Sequence, residues 1–231
     1  MAVSASTHRL WCFHMCHFIG ETLSRNLPHL WSSISVTVTE ADWVDLLRHY
    51  IGTSKDWPLK VFVQQNGPLK AVAASQGAAV LRLLMSQAFR FRELVMTLDN
   101  WTILGRLKEL DVTFPSLTSF RIRTETTDAL EPEYRWLWHA MMRAPQLQMV
   151  KTDSWRTYPY QQLRSLEIEK WTDVLSKGFG YLQQCGQLES LTIQRFCPED
   201  DVAVSVNLGF CPISLPRFHR RRNPTTNGEI I

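Results

Sequence analysis

The 231-residue sequence predicts an α/β fold in which parallel strands form one sheet that is backed by helices. Two observations lead to this prediction. A short pattern with apolar residues at its first, fourth and sixth positions returns along the chain, and segments with helical apolar spacing lie between its copies. Because strand and helix alternate, the strands are expected to be parallel and to lie next to their neighbours in the sequence.

The repeated pattern is typical of a buried strand that the chain enters through a turn. Four copies are regular, a fifth ends in a polar residue, and two upstream segments have the same character. These copies are Phe91-Leu94-Met96, Leu117-Phe120-Ile122, Leu163-Leu166-Ile168, Leu188-Leu191-Ile193, the degraded Leu147-Val150-Thr152, Trp31-Ile34-Val36 and the run 58–63. Pro58, Pro115 and Pro145 come at or just before three of them, where a missing N–H does not weaken the strand.

Four segments between the strands carry apolar stripes at helical spacing. The stripes are Trp43-Leu46-Leu47-Tyr50-Ile51, Val72-Ala79-Val80-Leu83-Leu84, Tyr134-Leu137-Trp138-Met141-Met142 and Trp171-Val174-Leu175-Phe179-Leu182. Gly77 weakens the second predicted helix by about 1 kcal/mol relative to alanine. Residues 100–110 fit either a fifth helix or another strand, because Leu107, Leu110 and Val112 also match the strand spacing.

One strand and one helix cannot cover their own apolar faces, so units that repeat in this way must stack on their neighbours. Helices are wider than the ~4.8 Å strand spacing, and such a stack therefore bends with its strands on the concave side. The sequence predicts a leucine-rich-repeat-like solenoid of six or seven irregular units over residues 28–195. Residues 1–27 have no clean periodicity, and residues 196–231 are predicted as a poorly ordered tail with one short strand at Val202–Val206.

Composition bears on location and on several classes of partner. No run of about 18 apolar residues is present, so no membrane partner is expected. The formal net charge of +3 does not argue for a nucleic-acid partner. Five cysteines fit a reducing compartment, which predicts an intracellular protein, cytoplasmic or nuclear. The basic run 217–222 is either a nuclear-import patch or a solvated tail.

The sequence carries none of the common enzyme motifs, such as a phosphate loop, a dinucleotide-binding glycine fingerprint, a zinc-protease histidine pair or a nucleophile elbow. We therefore expect no catalytic residues, no cofactor and no enzymatic activity. Cys12, His14, Cys16 and His17 lack a second ligand pair at a matching distance, so no metal site is expected.

The residues between the inward positions of each strand are predicted to lie on the concave surface. This surface is basic in its middle, at Arg121, Arg123 and Lys151, and becomes acidic at Glu167 and Glu169. Two interpretations remain open. The five side chains form cross-strand ion pairs that stabilise the sheet by about 0.2–1 kcal/mol each, or they bind a protein partner whose identity the sequence does not give.

An aromatic loop, residues 154–160, also has two interpretations. Trp155, together with Tyr158 and Tyr160, has the composition of an interface hot spot beside a binding surface. The same rings could instead fill the space left by the short unit between Leu147 and Leu163.

Several segments resemble a known family. They are Pro28-His29-Leu30-Trp31-Ser32-Ser33-Ile34, Phe114-Pro115-Ser116-Leu117-Thr118-Ser119-Phe120, Ala144-Pro145-Gln146-Leu147 and Gln162-Leu163-Arg164-Ser165-Leu166-Glu167-Ile168. Together they resemble fungal F-box proteins with irregular leucine-rich repeats. In that family a Pro-x-Leu-Trp-Ser-Ser segment follows the F-box, which binds the adaptor of a cullin-type ubiquitin ligase, and the repeats recognise the substrate.

The resemblance implies the substrate-recognition part of such a receptor. A complete F-box would need more residues before Leu30 than the chain has, so the F-box itself is truncated or absent, and residues 1–27 are a possible remnant. The ligase adaptor is an expected partner only if that remnant functions. The alternative is a truncated or decaying family member with a structural role or with no retained activity. Asp99, Glu125 and Phe196 stand where regular repeats have an asparagine.

Overall fold

The computed structural model of the chain describes residues 27–38, 43–65, 67, 71–99, 102–124, 134–153, 156–171 and 175–196. Seven strands lie in this part of the chain: β1 (Ser33–Thr37), β2 (Leu59–Gln64), β3 (Phe91–Leu98), β4 (Ser119–Thr124), β5 (Met149–Thr152), β6 (Ser165–Trp171) and β7 (Ser190–Phe196). The helices are α1 (Trp43–Ser54), α2 (Ala71–Met85), α3 (Thr102–Gly105), α4 (Arg135–Met142) and α5 (Leu175–Leu182). The predictions for residues 1–26 and 197–231, including the strand at Val202–Val206, lie outside the described residues.

The seven strands form one open sheet in the order β1-β2-β3-β4-β5-β6-β7. Every neighbouring pair is parallel. Each strand therefore pairs only with the strands that precede and follow it in the chain. The prediction of a parallel sheet in chain order, backed by helices, is confirmed.

The apolar positions of the repeated pattern line up across the sheet. One row runs through all seven strands: Ile34, Val61, Leu94, Phe120, Val150, Leu166 and Leu191. All of these except Leu191 are buried in the core that the helices cover. Thr152, the polar residue in the degraded copy, is also buried and pairs with Ile168. The pattern therefore predicts the inward face of each strand even where its last position is not apolar.

The helix α2 packs closely enough that its glycine is required. A Cβ added at Gly77 would lie 2.7 Å from Ile103 Cδ1 and 2.7 Å from the carbonyl oxygen of Val38. This close approach turns Ala74, Ala78 and Leu81 toward the core, whereas Ala79 is exposed. The predicted stripe was wrong at Ala79, because tertiary packing around the glycine sets which side of the helix is buried.

Three further predictions need correction. Trp171 is not on a helix: it is the last residue of β6 and pairs with Phe196, and α5 begins only at Leu175. Residues 100–110 contain neither a long helix nor a strand in their described part, since α3 is a single turn and residues 106–109 form turns. Met142 ends α4 and is exposed rather than buried.

Side chains on the helix side join several of the units to a neighbouring unit. Arg82 Nη2 donates to the carbonyl oxygen of Arg106 at 2.9 Å, and Trp136 Nε1 donates to that of Leu104 at 3.0 Å. Gln162 Nε2 donates to the carbonyl oxygens of Ala144 at 2.7 Å and of Leu147 at 3.1 Å. These bonds satisfy backbone carbonyls that the sheet does not reach.

Two aspartates at the ends of strands also join neighbouring units, by accepting hydrogen bonds from backbone N–H groups. Asp99, three residues past Met96 and directly after the end of β3, accepts a hydrogen bond from the backbone N–H of Gly67 through Oδ2. Asp153 Oδ2 accepts from the backbone N of Thr124 at 2.8 Å and from its Oγ1 at 2.6 Å. A carboxylate therefore holds the backbone of the preceding unit at positions where the ladder has ended.

α2, with 15 residues, is the longest of the described helices, and no described helix has the length and apolar character needed to span a bilayer.

Candidate partner-binding surface

The side chains that alternate with the buried rows form the other face of the sheet. This is the surface that the sequence predicts to be concave, and we call it the outer face because it faces away from the core. Its first row is Ser33, Lys60, Glu93, Ser119, Met149, Ser165 and Ser190. Its second row is Ser35, Phe62, Val95, Arg121, Lys151, Glu167 and Thr192. A third row begins with Thr37, Gln64, Thr97 and Arg123. Successive strands lie ~4.8 Å apart, so each row is a continuous line of neighbouring side chains.

The sequence places five charged residues on this surface, and the structure brings them together. Arg121, Lys151 and Glu167 are direct neighbours in the second row, on β4, β5 and β6. Arg123 lies two residues after Arg121, and Glu169 lies two residues after Glu167, so both are on the same face.

Lys151 and Glu167 form a direct ion pair. Lys151 Nζ lies 2.7 Å from Glu167 Oε1, and both side chains are half-buried. Glu167 Oε1 also accepts a hydrogen bond from Gln194 Nε2 on β7. Desolvation alone would raise the pKa of Glu167, but the hydrogen bonds from Lys151 and Gln194 and the positive charges of Lys151 and Arg121 lower it below its usual value. This carboxylate is therefore held ionised by its neighbours.

Arg123 and Glu169 form a second pair across a gap in the sheet. Arg123 Nε lies 3.6 Å from Glu169 Oε2, although β4 and β6 are not neighbouring strands. The contact is possible because β5 has only four residues and ends at Thr152, so no β5 residue lies in the ladder between them. Four of the five predicted residues thus neutralise one another in pairs.

Arg121 differs from the other four. Its side chain is exposed, and among the described residues no carboxylate lies within ion-pair distance of it. In its row it follows Phe62 and Val95, which are half-buried on the outer face. The middle of the outer face therefore presents an exposed cation beside two apolar side chains.

The aromatic loop divides between described and undescribed residues. Trp155 lies outside the described residues. Tyr158 and Tyr160 are buried, and the Tyr158 ring lies 5.9 Å from that of Trp138 and 6.4 Å from that of Phe120. Burial raises the pKa of both tyrosines. These two rings fill the core between β5 and β6, where the described residues form only the short 3-10 helix Tyr160–Gln162, so the space-filling interpretation holds for them.

Sequence reasoning missed several apolar residues that lie outside the core. Phe62 could have been found from the alternation within the run 58–63, which places it opposite the buried Val61 and Val63. Leu30, Trp57 and Phe89 are also exposed, and each comes before a strand, outside the repeated pattern. Only the register between strands reveals that these three are related.

The described residues contain no group of three side chains suited to hold a metal ion. Their one described cysteine, Cys185, is buried, and burial raises its pKa to about 11. Comparison with known proteins gives no match to any family model, to any curated protein or to any solved structure.

Proposed function

We propose that this chain is a non-catalytic protein-interaction module, a leucine-rich-repeat-like solenoid of six or seven irregular units that binds a protein partner on its outer face. Strand order equal to chain order supports the solenoid, as do the side-chain hydrogen bonds that join neighbouring units in the middle of the sheet. Stacked units of this kind offer long, continuous binding surfaces.

The observation that carries the proposal is the exposed Arg121 beside Phe62 and Val95. Cross-strand ion pairs account for Lys151, Glu167, Arg123 and Glu169 without any partner. The charge of Arg121 also acts on Glu167, but no carboxylate of the described residues lies within ion-pair distance of the exposed guanidinium. A cation of this kind, fixed on a central strand near apolar side chains, offers a partner both charge complementarity and buried area. We assign the partner a carboxylate that meets Arg121.

A charge reversal at Arg121 tests this surface. Arg121→Glu should abolish capture of the partner in a proximity-crosslinking experiment in cells. The free energy of unfolding measured in urea should stay within about 0.5 kcal/mol of the parent value, because the side chain is exposed. The double variant Arg121→Glu with Arg123→Glu should have at least the same effect on capture.

Arg106→Glu is the matched control, since Arg106 is exposed on the helix side and the change in net charge is identical. Unchanged crosslinking by Arg121→Glu would refute the assignment of the outer face. Loss of capture with Arg106→Glu as well would indicate a general charge effect and would refute it too.

By resemblance, we propose further that the module acts as the substrate-recognition part of an F-box ubiquitin-ligase receptor inside the cell. The segment that carries the resemblance, Pro28–Trp31, is a 3-10 helix that leads directly into β1. Co-purification with the adaptor of a cullin-type ligase tests this step. Stoichiometric recovery supports adaptor binding, and its absence limits the proposal to substrate recognition.

The ion pairs favour a second candidate, in which the chain is a truncated or decaying family member with a purely structural role. A charge swap separates the two. Lys151→Glu combined with Glu167→Lys restores an ion pair but reverses the pattern of charge on the outer face. Both roles predict that the double variant is more stable than either single variant. A structural role predicts no change in the proteins that the chain captures, whereas an interaction role predicts that capture is lost.

A further inference from the structure

A second surface of the molecule exposes large apolar side chains at the points where the chain enters its first three strands. Leu30 is 55% exposed, Trp57 47% and Phe89 52%. We call these three residues the apolar stripe. Apolar side chains that are exposed together, unlike single ones, mark interaction sites on protein surfaces.

The register between strands shows that the three residues are equivalent. Ser33 pairs with Lys60, so Leu30 and Trp57 each lie three residues before a paired position. Leu59 pairs with Phe91, so Trp57 and Phe89 each lie two residues before a paired position. Leu30, Trp57 and Phe89 therefore lie at corresponding positions before β1, β2 and β3, in three successive units.

The stripe ends after the third unit. The corresponding segment before β4 has Pro115 and Ser116, and the one before β5 has Pro145 and Gln146. The exposure is thus confined to one end of the sheet and does not follow from the repeated pattern.

Hydrogen bonds from a buried arginine hold the backbone at Trp57 in place. Arg90 is buried, and its Nε and Nη2 donate to the carbonyl oxygen of Trp57 at 3.1 Å and 2.9 Å. Arg90 Nη2 also donates to Ser54 Oγ at 2.8 Å. The ring of His29 lies 5.6 Å from that of Trp57. An exposed aromatic side chain on a rigidly held backbone loses little entropy on binding, which is the property of an interface anchor.

The charges around the stripe are mainly positive. Residues 55–60 and 89–93 contain four cations, Lys55, Lys60, Arg90 and Arg92, against the two carboxylates of Asp56 and Glu93. Glu93 lies 3.9 Å from Lys60, and the charge of Asp56 acts on Arg90. Lys55 and Arg92 are exposed and have no ion pair among the described residues. Because Arg90 is buried, three cations face two carboxylates at the surface, and the surplus of one positive charge favours an acidic partner.

The size of the stripe favours a short segment over a second copy of the chain. Aromatic side chains bury about 150–250 Å² each when fully covered, so three half-exposed apolar side chains offer about 200–400 Å². A stable interface needs about 800 Å² per partner. One helical turn rises 5.4 Å, close to the strand spacing, so apolar residues at successive turns of a helix would meet Leu30, Trp57 and Phe89 in order.

We propose that the apolar stripe binds a short amphipathic helix whose apolar residues pack on Leu30, Trp57 and Phe89 and whose acidic residues meet Lys55 and Arg92. This is the helix-on-apolar-surface mode of recognition. The stripe lies before the first three strands rather than on them, and the proposal stands whether or not Arg121 binds a partner.

The test uses a fluorescent 18-residue peptide with leucines at helical spacing i, i+3, i+4, i+7 and glutamates at most other positions. Titration with the full chain, followed by fluorescence anisotropy, should give saturable binding. Trp57→Ala combined with Phe89→Ala should weaken it at least tenfold, and Arg92→Glu should weaken it severalfold with the stripe intact. Met142→Ala, which removes an exposed apolar side chain from α4, should leave it unchanged.

Three results would overturn the proposal. One is no saturable binding. Another is equal binding by the double variant, whose folding circular dichroism and urea unfolding check independently. The last is equal binding of a peptide in which lysines replace the glutamates. Hydroxyl-radical footprinting of the free full chain adds a further arm: Trp57 and Phe89 should be oxidised readily. Protection of both would mean that another part of the chain or a second copy covers the stripe, which contradicts the proposal.

Discussion

At the scale of single residues, Arg90 is the charged side chain whose environment is most demanding. It is buried between the end of α1 and the turn before β3, and all of its described hydrogen bonds go to neutral oxygens: the Trp57 carbonyl, Ser54 Oγ and Gln87 Oε1. A buried guanidinium is tolerated only when its donors are satisfied in this way. Arg90 therefore joins the first three units through one side chain.

Arg90→Met should lower the free energy of unfolding by about 1–3 kcal/mol, because it leaves the Trp57 carbonyl and the Ser54 hydroxyl without their donor. The free energy of unfolding of Arg90→Lys should lie between those of the parent and of Arg90→Met, since a lysine cannot present the planar fork of donors that arginine has. Urea denaturation followed by far-ultraviolet circular dichroism measures both. Arg92→Met, an exposed neighbour, should cost less than about 0.5 kcal/mol, and an equal loss at both positions would contradict the role given to Arg90.

Glu167 makes stability depend on pH in a stated direction. Its pKa in the folded chain is lowered from the usual 4.5, so the ionised carboxylate favours folding, and this contribution is lost as the pH falls through the lowered pKa. Glu167→Gln should cost about 0.5–1 kcal/mol at pH 7, and the difference from the parent should shrink below pH 4.5.

Urea unfolding of both proteins across this range measures the effect. Glu109→Gln, a change at an exposed carboxylate on the helix side, is the control and should show no such difference. A cost for Glu167→Gln that stays constant from pH 7 to pH 3 would mean that the Lys151 pair does not set the pKa.

At the scale of elements, two glycines in helices make opposite predictions. Gly77→Ala should destabilise the chain by about 1–3 kcal/mol, because overpacking against Ile103 and Val38 outweighs the better helix propensity of alanine. Gly52→Ala in α1 should stabilise it by about 0.5–1 kcal/mol, since nothing lies within 4 Å of the added Cβ. Thermal unfolding of the two single variants decides this, and shifts of the same sign would contradict the packing described around α2.

Element positions could be predicted from sequence where burial has a strict period. The strands follow from apolar alternation, because every strand contributes the same two inward positions to a shared core. The buried side of α2 could not be predicted, since it depends on how closely Val38 and Ile103 approach Gly77. Trp171 fitted a helical stripe equally well, and only its pairing with Phe196 extends β6 to include it.

The sequence could predict which charged residues lie on the candidate site, but not which of them form ion pairs. Alternation places Arg121, Lys151 and Glu167 on one face, as found. Which of them form pairs depends on strand register and on the shortness of β5, which allows Arg123 to reach Glu169. Neither quantity is visible in the pattern of a single segment, and the equivalence of Leu30, Trp57 and Phe89 depends on register in the same way.

At the scale of the whole molecule, the two outermost described strands differ. β1 has one described neighbour, yet its inward residues Ile34 and Val36 are buried. The inward residues of β7, Leu191 and Ile193, are only half-buried. The core is therefore better covered at the β1 end of the sheet than at the β7 end.

Backbone amides of β7 should exchange hydrogen for deuterium at least tenfold faster than those of β1, because protection follows the burial of a strand as well as its hydrogen bonds. Exchange followed by mass spectrometry on peptides from both strands measures this, with β3, which has two neighbours, as the protected reference. Equal protection of β1 and β7 would mean that the β7 end is covered as fully as the β1 end.

The agreement between strand order and chain order also has a mechanical consequence. A stretching force applied to the two ends of the sheet would act first on the outermost strand at either end, because no later segment of the described chain is laid over an earlier one. The strands would then separate from their neighbours one after another. Extension would therefore proceed in small steps at low force rather than in one abrupt rupture.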